Sequence, residues 1–308
     1  MTAEWRPAID PQTLRERAAL VWQIREFFHN RQVIEVHTPI LGSHTVSDVH
    51  VESIRANGGF LQTSPEYFMK RLLAAGAPSC YQIGPVFRKG EIGKRHNPEF
   101  AMLEWYRLGY DAEQLRCETS ELVNLVLGEC SYQTISFQSL MRERFHVDVF
   151  HESNDSLSDI ATEHGYQGGF GEQEILDFLY SEAIRQCDAE RVFVVNFPQE
   201  SAALSRTVSV DGLEVADRFE LIVTGVEIAN GYYELLDGGE LARRIEMDNR
   251  KRVELARPPI EPDPRLLAAM KHGLPSCAGV AVGLDRLIAL ALGRDNIREV
   301  MTFPDGLA

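Results

Sequence analysis

Residues 87–106 read FRKGEIGKRHNPEFAMLEWY, and their pattern predicts a strand, a loop and a returning strand. The loop is bent by the turn-forming residues Gly90, Gly93 and Asn97-Pro98. It is also basic, and its cationic or ionisable side chains are Arg88, Lys89, Lys94, Arg95 and His96. Such a cluster favours an anion site, and a solvated hairpin with a chance cluster is the alternative.

The returning strand carries a chemically mixed face. Side chains alternate between the two faces of a strand, so Phe100, Met102, Glu104 and Tyr106 point the same way. An aromatic ring, a carboxylate and a phenol therefore share one surface beside the basic loop.

The composition is typical of a soluble globular protein. At 308 residues, of which 44% are hydrophobic, the chain can bury a large core. The sequence has no N-terminal signal and no apolar run of the roughly 18 to 20 residues that a membrane span needs. The five cysteines are scattered without metal-ligand spacing. We therefore expect a cytoplasmic protein with reduced thiols and no membrane contact.

The formal net charge of −15 limits the kinds of partner. Proteins that bind RNA draw much of their affinity from lysine and arginine side chains that neutralise phosphates. An acidic chain therefore argues against extensive contact with tRNA, although one basic face would still permit it. An acidic body suits a basic protein partner.

An amphipathic helix is predicted near the N-terminus. Asp10-Pro11 is a typical N-cap and first turn. Apolar residues then recur at helical spacing, at Leu14, Ala18, Val21, Ile24 and Phe28. A strand over residues 33–36 follows and ends at Pro39, whose missing N–H fits an edge or an interface. Packing of the helix on its own core remains an alternative to an interface.

A second helix is predicted to begin at Thr63-Ser64-Pro65-Glu66, where a hydroxyl group caps the first turn. Glu66 has an ordinary explanation there, because a carboxylate favours the positive end of the helix dipole. Residues 137–190 are polar, mostly helical in pattern and without a motif. We predict a single domain over residues 1–308 with a mostly helical insertion at about 137–190.

Residues 218–234 read RFELIVTGVEIANGYYE and predict a hairpin that turns at Thr224-Gly225. An amide, an aromatic ring and a carboxylate share one face of its second strand, and these are Asn230, Tyr232 and Glu234. Such a set suits a flexible ammonium group. The positions of Glu220 and Glu227 differ by an odd number, which gives their side chains opposite parity. Only the hairpin reversal or a bulge near Asn230-Gly231 could therefore bring both carboxylates together. Exposed strand carboxylates are the alternative.

Residues 279–286 read GVAVGLDR and predict a strand that runs into a helix. Arg286 then lies at a helix N-terminus, where anions bind well. Simple capping of the helix by Asp285 is the alternative.

In their order along the chain, these stretches resemble the signature motifs of class II aminoacyl-tRNA synthetases, in the form of the lysyl branch. Arg88 with HNPEF at 96–100 and EWY at 104–106 resembles motif 2. VIEVHTP at 33–39 is similar to motif 1, and GVAVGLDR is similar to motif 3. The resemblance covers nearly the whole chain, and its closest form is a group of shortened lysyl-type paralogues, the elongation factor P lysine ligases.

The resemblance implies an α+β catalytic domain, with an antiparallel sheet flanked by helices, that forms a homodimer through motif 1. It implies ATP-binding roles for Arg88, His96, Asn97, Phe100 and Arg286, of which Arg88 and Arg286 are catalytic. It implies contacts with a lysine-like substrate for Glu66, Glu104, Tyr106, Asn230, Tyr232, Glu234 and Ala281. It also implies Mg²⁺ as a cofactor beside ATP, held by the hard oxygen ligands of Glu220 and Glu227.

The implied reaction activates β-lysine with ATP as an aminoacyl-adenylate and transfers it to a lysine side chain of elongation factor P. A compact lysyl-tRNA synthetase-like or other free-standing ligase is one rival reading, and an inactive binding paralogue is another. The tRNA-charging lysyl enzymes carry an anticodon-binding OB-fold. No stretch of this sequence has room for one, so we expect no productive tRNA binding.

Two positions depart from the lysyl pattern. Gly90 stands where that pattern has a glutamate, and the carboxylate comes one residue later, at Glu91. Ala281 stands where motif 3 has its first glycine. The first departure leaves the nucleotide contacts open. The second leaves the choice between α-lysine and β-lysine open, and packing explains it equally well.

Overall fold

The computed structural model describes residues 5–169 and 171–308, which form two compact units. The first unit comprises residues 5–129 and 234–308, and the second comprises Cys130–Tyr233. The helices are α1 (Pro11–Asn30), α2 (Glu66–Ala74), α3 (Ala112–Leu127), α4 (Phe137–Phe145), α5 (Asn154–Glu163), α6 (Glu172–Arg185), α7 (Gly238–Glu254), α8 (Pro264–Gly273) and α9 (Leu284–Ala291). The strands are β1 (Ile34–Glu35), β2 (Leu41–Gly42), β3 (Arg55–Ala56), β4 (Gly59–Leu61), β5 (Cys80–Phe87), β6 (Glu99–Leu108), β7 (Gln133–Ser136), β8 (Arg191–Pro198), β9 (Thr207–Val210), β10 (Leu213–Val223), β11 (Val226–Tyr233) and β12 (Cys277–Gly283).

The main sheet of the first unit has the strand order β1-β5-β6-β12. Strand β1 runs parallel to β5, and the other neighbours are antiparallel. The predicted strand, loop and strand are confirmed by β5 and β6, whose pairing places Gln82 opposite Glu104 and Val86 opposite Phe100. A small antiparallel sheet has the order β2-β4-β3. The predicted α+β class is confirmed, with a parallel strand at one edge of the sheet.

Helix α2 packs on the main sheet. The N-cap of α2 is Pro65, so the predicted hydroxyl N-cap is absent, although Ser64 Oγ one residue earlier accepts from the Glu66 amide at 3.0 Å. The apolar face of α2 belongs to a buried cluster formed by Met69, Leu73, Cys80, Tyr106, Leu274 and Cys277. Burial of one such side chain stabilises the fold by about 1.5 to 3 kcal/mol. This packing fixes the remaining side chains of α2, including Glu66 and Lys70, beside the sheet.

Helix α1 begins as predicted, because the Asp10 carboxylate accepts from the Thr13 amide at 2.7 Å. Its buried residues include Ile24, Phe27 and Phe28, which lie in its second half. An outward stripe at helical spacing, formed by Leu14, Ala18 and Trp22, begins near the start of the helix and reaches its middle, and Trp22 is 66% exposed. The helix is therefore apolar on a side that this chain leaves uncovered.

The sheet of the second unit has the strand order β11-β10-β8-β7, and β9 also pairs with β10. Helices α4, α5 and α6 occupy most of the stretch where the sequence predicts a helical insertion, and they contribute to one hydrophobic core with β8 and β10. The predicted hairpin turn is present, and Thr224 and Gly225 both have positive φ, 47° and 72°. Positive φ at both central residues is what a two-residue hairpin turn requires.

Helix α7 and the small sheet are features that the sequence reading did not predict. Helix α7 begins at an Asp237 N-cap and carries charged pairs one turn apart, Glu240–Arg244 and Glu246–Arg250. Within residues 5–169 and 171–308, no helix is long and apolar enough to cross a membrane. All five cysteines are free, and Cys117 is exposed.

Candidate active site

The floor of the candidate site is one face of β5, β6 and β12. Pairing aligns Cys80, Tyr106 and Gly279 in one row, and Gln82, Glu104 and Ala281 in the next. Gly279 leaves space that another residue would fill, since a Cβ atom there would lie 2.4 Å from Tyr106 Cε1 and 2.6 Å from Glu234 Oε1. The floor is thus open above a phenol and a carboxylate.

Glu104 is buried at the centre of this floor. Its carboxylate accepts from Ser64 Oγ at 2.7 Å and from the Tyr106 hydroxyl at 2.8 Å. Burial raises the pKa of Glu104 to about 7 and the charge of Glu66 adds to this, while the two hydrogen bonds oppose it. A carboxyl group held in this way is ready to pair with an incoming cation.

Glu66 and Glu234 form the wall of the same pocket, and Lys70 joins them. Lys70 Nζ lies 2.7 Å from Glu66 Oε1 and 2.6 Å from Glu234 Oε2. Burial raises the pKa of Glu234 to about 8, Lys70 opposes this, and Glu66 and Glu104 add to it. Glu234 Oε1 is buried and has no hydrogen-bond partner among the described residues. An unsatisfied buried carboxylate oxygen is costly, so this atom is suited to an ammonium donor from outside.

The structure therefore brings together four of the predicted substrate residues, Glu66, Glu104, Tyr106 and Glu234, and aligns Ala281 with them. We call this set, with Lys70, the amine pocket. The other two predicted substrate residues lie in the second unit. There Asn230 Oδ1 accepts from Arg218 Nε at 3.1 Å, and the Tyr232 ring centroid lies 5.9 Å from the guanidinium carbon of the same arginine.

The basic loop after β5 brings one predicted nucleotide residue, His96, to the start of α9, which carries another, Arg286. Arg286 lies 2.8 Å from His96 Nε2 and donates to the Arg95 carbonyl at 3.1 Å. The Arg88 guanidinium lies 5.3 Å from the centroid of the Phe100 ring. Two guanidinium groups and an imidazole on one loop and one helix N-terminus are suited to a polyphosphate.

Two details of this loop bear on the departures from the lysyl pattern. Glu91 Oε1 lies 3.5 Å from Arg88 Nη1, so the carboxylate that comes one residue late still reaches the arginine. Gly90 has a φ of +82°, and this backbone conformation allows the shift. Asn97 is buried, and its amide donates to the Glu99 carbonyl and accepts from the Asp305 amide. Asn97 thus fixes the shape of the loop.

Asp285 is placed differently from a simple helix cap. It lies inside the first turn of α9, and its carboxylate accepts from the Ala101 amide at 2.7 Å. The same carboxylate forms an ion pair with Arg17 at 2.7 Å. Asp285 therefore ties the helix that carries Arg286 to the strand that carries Phe100 and to α1.

In the second unit, a β-bulge brings Glu220 and Glu227 to one face. Glu220 pairs with Asn230, but beyond the register shift at Leu221/Ile222 it is Ile222 that pairs with Glu227. One extra residue on β11 turns the Glu227 side chain to the other face of the sheet, which is the face of Glu220. The sequence leaves open either the hairpin reversal or a bulge near Asn230-Gly231, and the observed register shift lies closer to the turn than that.

The surroundings of Glu220 test its fitness as a metal ligand. Its carboxylate accepts from the Tyr180 hydroxyl at 2.7 Å and forms an ion pair with Arg218. Burial raises the pKa of Glu220 to about 7, Arg218 opposes this, and the charge of Glu227 adds to it. Two carboxylates that repel each other are suited to a shared divalent cation.

Among the described residues no group of three or more His, Cys, Asp and Glu side chains could hold a metal ion. A pair of carboxylates still fits Mg²⁺, because Mg²⁺ commonly takes one or two protein carboxylates and completes its shell with water and substrate phosphates. The donor set of Glu220 and Glu227 is of this kind.

The sequence reading missed two internal cations, Lys70 and Arg218. Both have a signal in the sequence. Lys70 follows Glu66 by one helical turn, and Arg218 shares strand parity with Glu220. The tertiary partner Glu234, which lies far from Lys70 along the chain, has no such signal.

The sequence profile of the family described as tRNA synthetases class II (D, K and N) matches residues 5–306. A relative from Haemophilus ducreyi is 42% identical over 97% of this chain and 95% of its own length. Relatives from Vibrio campbellii and Hamiltonella defensa are 40% and 38% identical, over 100% and 98% of both chains. All three are named elongation factor P-(R)-beta-lysine ligase. The chain therefore belongs to the class II tRNA synthetase family of the D, K and N type, and within it to the elongation factor P-(R)-beta-lysine ligases.

Proposed function

We propose that this protein activates β-lysine with ATP and transfers it to a lysine side chain of elongation factor P. The observation that carries the proposal is the amine pocket, in which three carboxylates, of Glu66, Glu104 and Glu234, face one internal ammonium group. The excess of negative charge supports a substrate with more than one ammonium group. The names of the relatives supply the acceptor.

In the first step, the carboxylate of β-lysine attacks the α-phosphorus of ATP, and pyrophosphate leaves. This step needs no general base, because the attacking carboxylate is already ionised at neutral pH. The chain contributes by positioning and by neutralising charge. Arg88 would contact the α-phosphate, Arg286 and His96 the outer phosphates, and Phe100 would stack on the adenine.

The amine pocket would hold the other end of the substrate. Glu66, Glu104 and Glu234 would pair with its ammonium groups, and the Tyr106 hydroxyl keeps Glu104 oriented. The family resemblance also assigns Asn230 and Tyr232 to substrate binding. Glu220 and Glu227 would hold Mg²⁺, which supplies neutralisation of phosphate charge when bound.

In the second step, a lysine amine of elongation factor P attacks the carbonyl carbon of the adenylate, an amide bond forms and AMP leaves. The acidic chain, with its net charge of −15, supports a protein acceptor with a basic surface over tRNA. Such an acceptor and the free cysteines also support action in the cytoplasm.

Pyrophosphate exchange that depends on β-lysine tests the first step. We expect Arg88→Ala and Arg286→Ala to lower exchange by about 100-fold or more, since each removes a charge contact to the transition state. Arg243→Ala is the matched control, because Arg243 is an exposed arginine of α7 whose ion pair is with Glu240. Exchange near the wild-type rate in Arg88→Ala or Arg286→Ala would remove that arginine from the site.

Transfer of radiolabelled β-lysine tests the acceptor. We expect label on elongation factor P and none on tRNA when both are offered with ATP. Charging of tRNA at a rate that matches adenylate formation would favour a compact tRNA synthetase instead. Absence of exchange with either α-lysine or β-lysine in the wild type would favour an inactive binding protein.

We also propose a homodimer. The exposed stripe of Leu14, Ala18 and Trp22 on α1 supports it, as does the exposure of Ile34 and Ile40 in and after the predicted interface strand. Apolar patches of this kind on a soluble chain mark interaction surfaces.

A further inference from the structure

Lys70 differs from every other lysine of the chain. The sequence has only five lysines, at positions 70, 89, 94, 251 and 271, and of these Lys70 alone is buried, at 1% exposure. A lysine ammonium is rarely buried without partners, because removing it from water is costly. A well-packed apolar side chain at this position would avoid that cost, so stability alone does not explain the choice of lysine.

The partners of Lys70 are both residues of the amine pocket. Its Nζ lies 2.7 Å from Glu66 Oε1 and 2.6 Å from Glu234 Oε2, so it bridges the start of α2 to the residue that follows β11. Glu234 is as deeply buried as Lys70, whereas the Glu66 side chain is 13% exposed. The ammonium group therefore sits at the closed end of the pocket, with Glu66 toward the mouth.

The charges of the pocket can be counted. Three carboxyl groups, from Glu66, Glu104 and Glu234, face the one ammonium of Lys70, which leaves two carboxyl groups to ionise against ammonium groups of a substrate. A diamino acid carries two ammonium groups. The substrate would therefore complete the neutralisation that Lys70 begins.

We propose that Lys70 is a positioning residue and the built-in counter-ion of the amine pocket. It holds Glu66 and Glu234 in place, and it leaves two of the three pocket carboxyl groups to pair with the substrate, which matches the number of ammonium groups on a diamino acid. This inference rests on the proposed function, since it assumes that the pocket binds the amino groups of the substrate.

The titratable groups around Lys70 decide how pH enters the test. The groups that interact with Lys70 are Glu66, Tyr67, Glu104, Glu234 and Cys277, and Tyr106 and Cys80 interact with these carboxylates in turn. Asp248 and Asp263 act on Tyr67. Burial raises the pKa of Tyr67, Tyr106, Cys80 and Cys277, so these groups stay neutral when Glu104 and Glu234 ionise.

The experiment is the pH profile of kcat/KM for β-lysine in pyrophosphate exchange, for wild type and Lys70→Met. An opposite charge within hydrogen-bond distance lowers a carboxyl pKa by about 1 to 3 units. Its removal should therefore shift the acidic limb of the pH profile to higher pH by about 1 to 3 units. We expect KM at about pH 7 to rise by about 10-fold or more, with a smaller change in kcat, and to recover at higher pH. Lys70→Arg keeps the charge and should keep the limb at its wild-type position.

Arg252→Met is the matched control. Arg252 is another buried cation of the first unit, but it donates to the Pro258 and Asp48 carbonyls and has no contact with the amine pocket. We expect this variant to lose stability without a shift of the acidic limb. A limb in Lys70→Met that coincides with the wild-type limb would overturn the proposal, because a purely structural lysine changes stability but not the profile.

A measurement on wild-type protein covers the case in which Lys70→Met does not fold. With only five lysines, protein labelled with ¹⁵N-lysine gives a simple set of side-chain Nζ signals. We expect one slowly exchanging ammonium signal, from Lys70, that shifts when β-lysine binds. If the wild-type enzyme shows no pyrophosphate exchange that depends on β-lysine, the proposed function fails. If pyrophosphate exchange is present but the Lys70 signal does not respond to β-lysine, this inference alone is overturned.

Discussion

Ala281 lies directly opposite Glu104 in the pairing of β12 with β6, so its methyl group projects from the same face as that carboxylate. The lysyl pattern has a glycine here. The amino group of β-lysine is one carbon further from its carboxylate than that of α-lysine, so β-lysine can clear the methyl group. A difference of one methyl group in a pocket is worth about 10 to 200-fold in kcat/KM, so Ala281→Gly should gain activity with α-lysine by a factor in that range.

The measurement is kcat/KM for α-lysine and β-lysine in both proteins, with wild type expected to prefer β-lysine. Ala278→Gly is the control, because Ala278 is on the same strand but at the opposite parity. An unchanged preference in Ala281→Gly would place the selection at Glu66, Glu104 or Tyr106 instead.

The buried carboxyl groups predict that substrate binding releases protons. Burial raises the pKa of Glu104 to about 7 and that of Glu234 to about 8, so near neutral pH the ligand-free pocket retains protons. Pairing with ammonium groups favours the ionised forms and displaces these protons. We expect the calorimetric heat of β-lysine binding at about pH 7 to depend on the ionisation enthalpy of the buffer, with a release of protons that decreases as pH rises past about 8. Equal heats in all buffers at neutral pH would contradict the assignment.

The same groups link folding to pH. Their pKa in the folded protein is raised, so the unfolded chain loses these protons first as pH rises, and ionisation then opposes folding. Their contribution to the free energy of unfolding therefore falls from about pH 4.5 to about pH 8 and is constant above that. Glu234→Gln removes one of them. The stability difference between wild type and this variant, measured by denaturant unfolding without ligand, should shift in favour of the variant across that window. A difference independent of pH would remove Glu234 as the linked group.

At the level of single residues, the sequence predicts most of the amine pocket but not the ammonium group that balances its carboxylates. Glu66, Glu104 and Glu234 were each predicted as substrate residues, and the structure brings them together. The bridging ammonium of Lys70 was not predicted, because its helical spacing from Glu66 equally describes a solvated surface pair. Its burial depends on the packing of α2 on the sheet, which is a tertiary property.

Among the secondary-structure elements, the hairpin of β10 and β11 carries a prediction about Mg²⁺. The bulge puts Glu227 on the face of Glu220. A neutral amide is a poorer ligand for a hard cation, so Glu227→Gln should raise the Mg²⁺ concentration needed for half-maximal exchange by about 10-fold or more. Glu214→Gln is the control, since Glu214 is an exposed carboxylate of β10. An unchanged Mg²⁺ titration would remove Glu227 from the metal site.

The elements that the sequence predicted are those with local signals. Helix α1 has its cap and apolar spacing, and the β10 and β11 hairpin has its Thr224-Gly225 turn. Helix α7 was missed because it is rich in charged residues and presents few apolar ones at helical spacing. Strands β2, β3 and β4, with two or three residues each, are too short for alternation to show. The position of the bulge depends on the pairing of two strands, which periodicity cannot give.

For the whole molecule, the outward stripe of α1 predicts the oligomeric state. Trp22 is 66% exposed, and a charge at its position would face the partner chain in a homodimer. We expect wild type to be a dimer and Trp22→Glu to be a monomer by light scattering after gel filtration, because a buried unpaired charge opposes association. Val253→Glu changes a residue of α7 that is 62% exposed and should remain dimeric. A dimeric Trp22→Glu would place the interface elsewhere.

The net charge of −15 predicts that association with the protein acceptor depends on salt. Attraction between an acidic enzyme and a basic protein surface is screened by salt over about 10 Å at 0.1 M ionic strength. We expect the association rate with elongation factor P to fall steeply with added salt, with a smaller effect on dissociation. Stopped-flow measurements at several salt concentrations test this. Association independent of salt would contradict the electrostatic part of the proposal.

The close approach of Gly279 to Tyr106 limits how this pocket can diversify. A Cβ at position 279 would collide with the Tyr106 ring at 2.4 Å, whereas one at position 283 would be in ordinary van der Waals contact with the Arg286 side chain at 3.4 Å. Between them Ala281 already carries a Cβ on the same face. A saturation library across β12 will therefore lose nearly all variants at Gly279 and retain them at Ala281. Evolution toward a new amino-acid substrate is therefore easier at Ala281 than at Gly279, and lineages that have changed substrate should differ at position 281 before position 279.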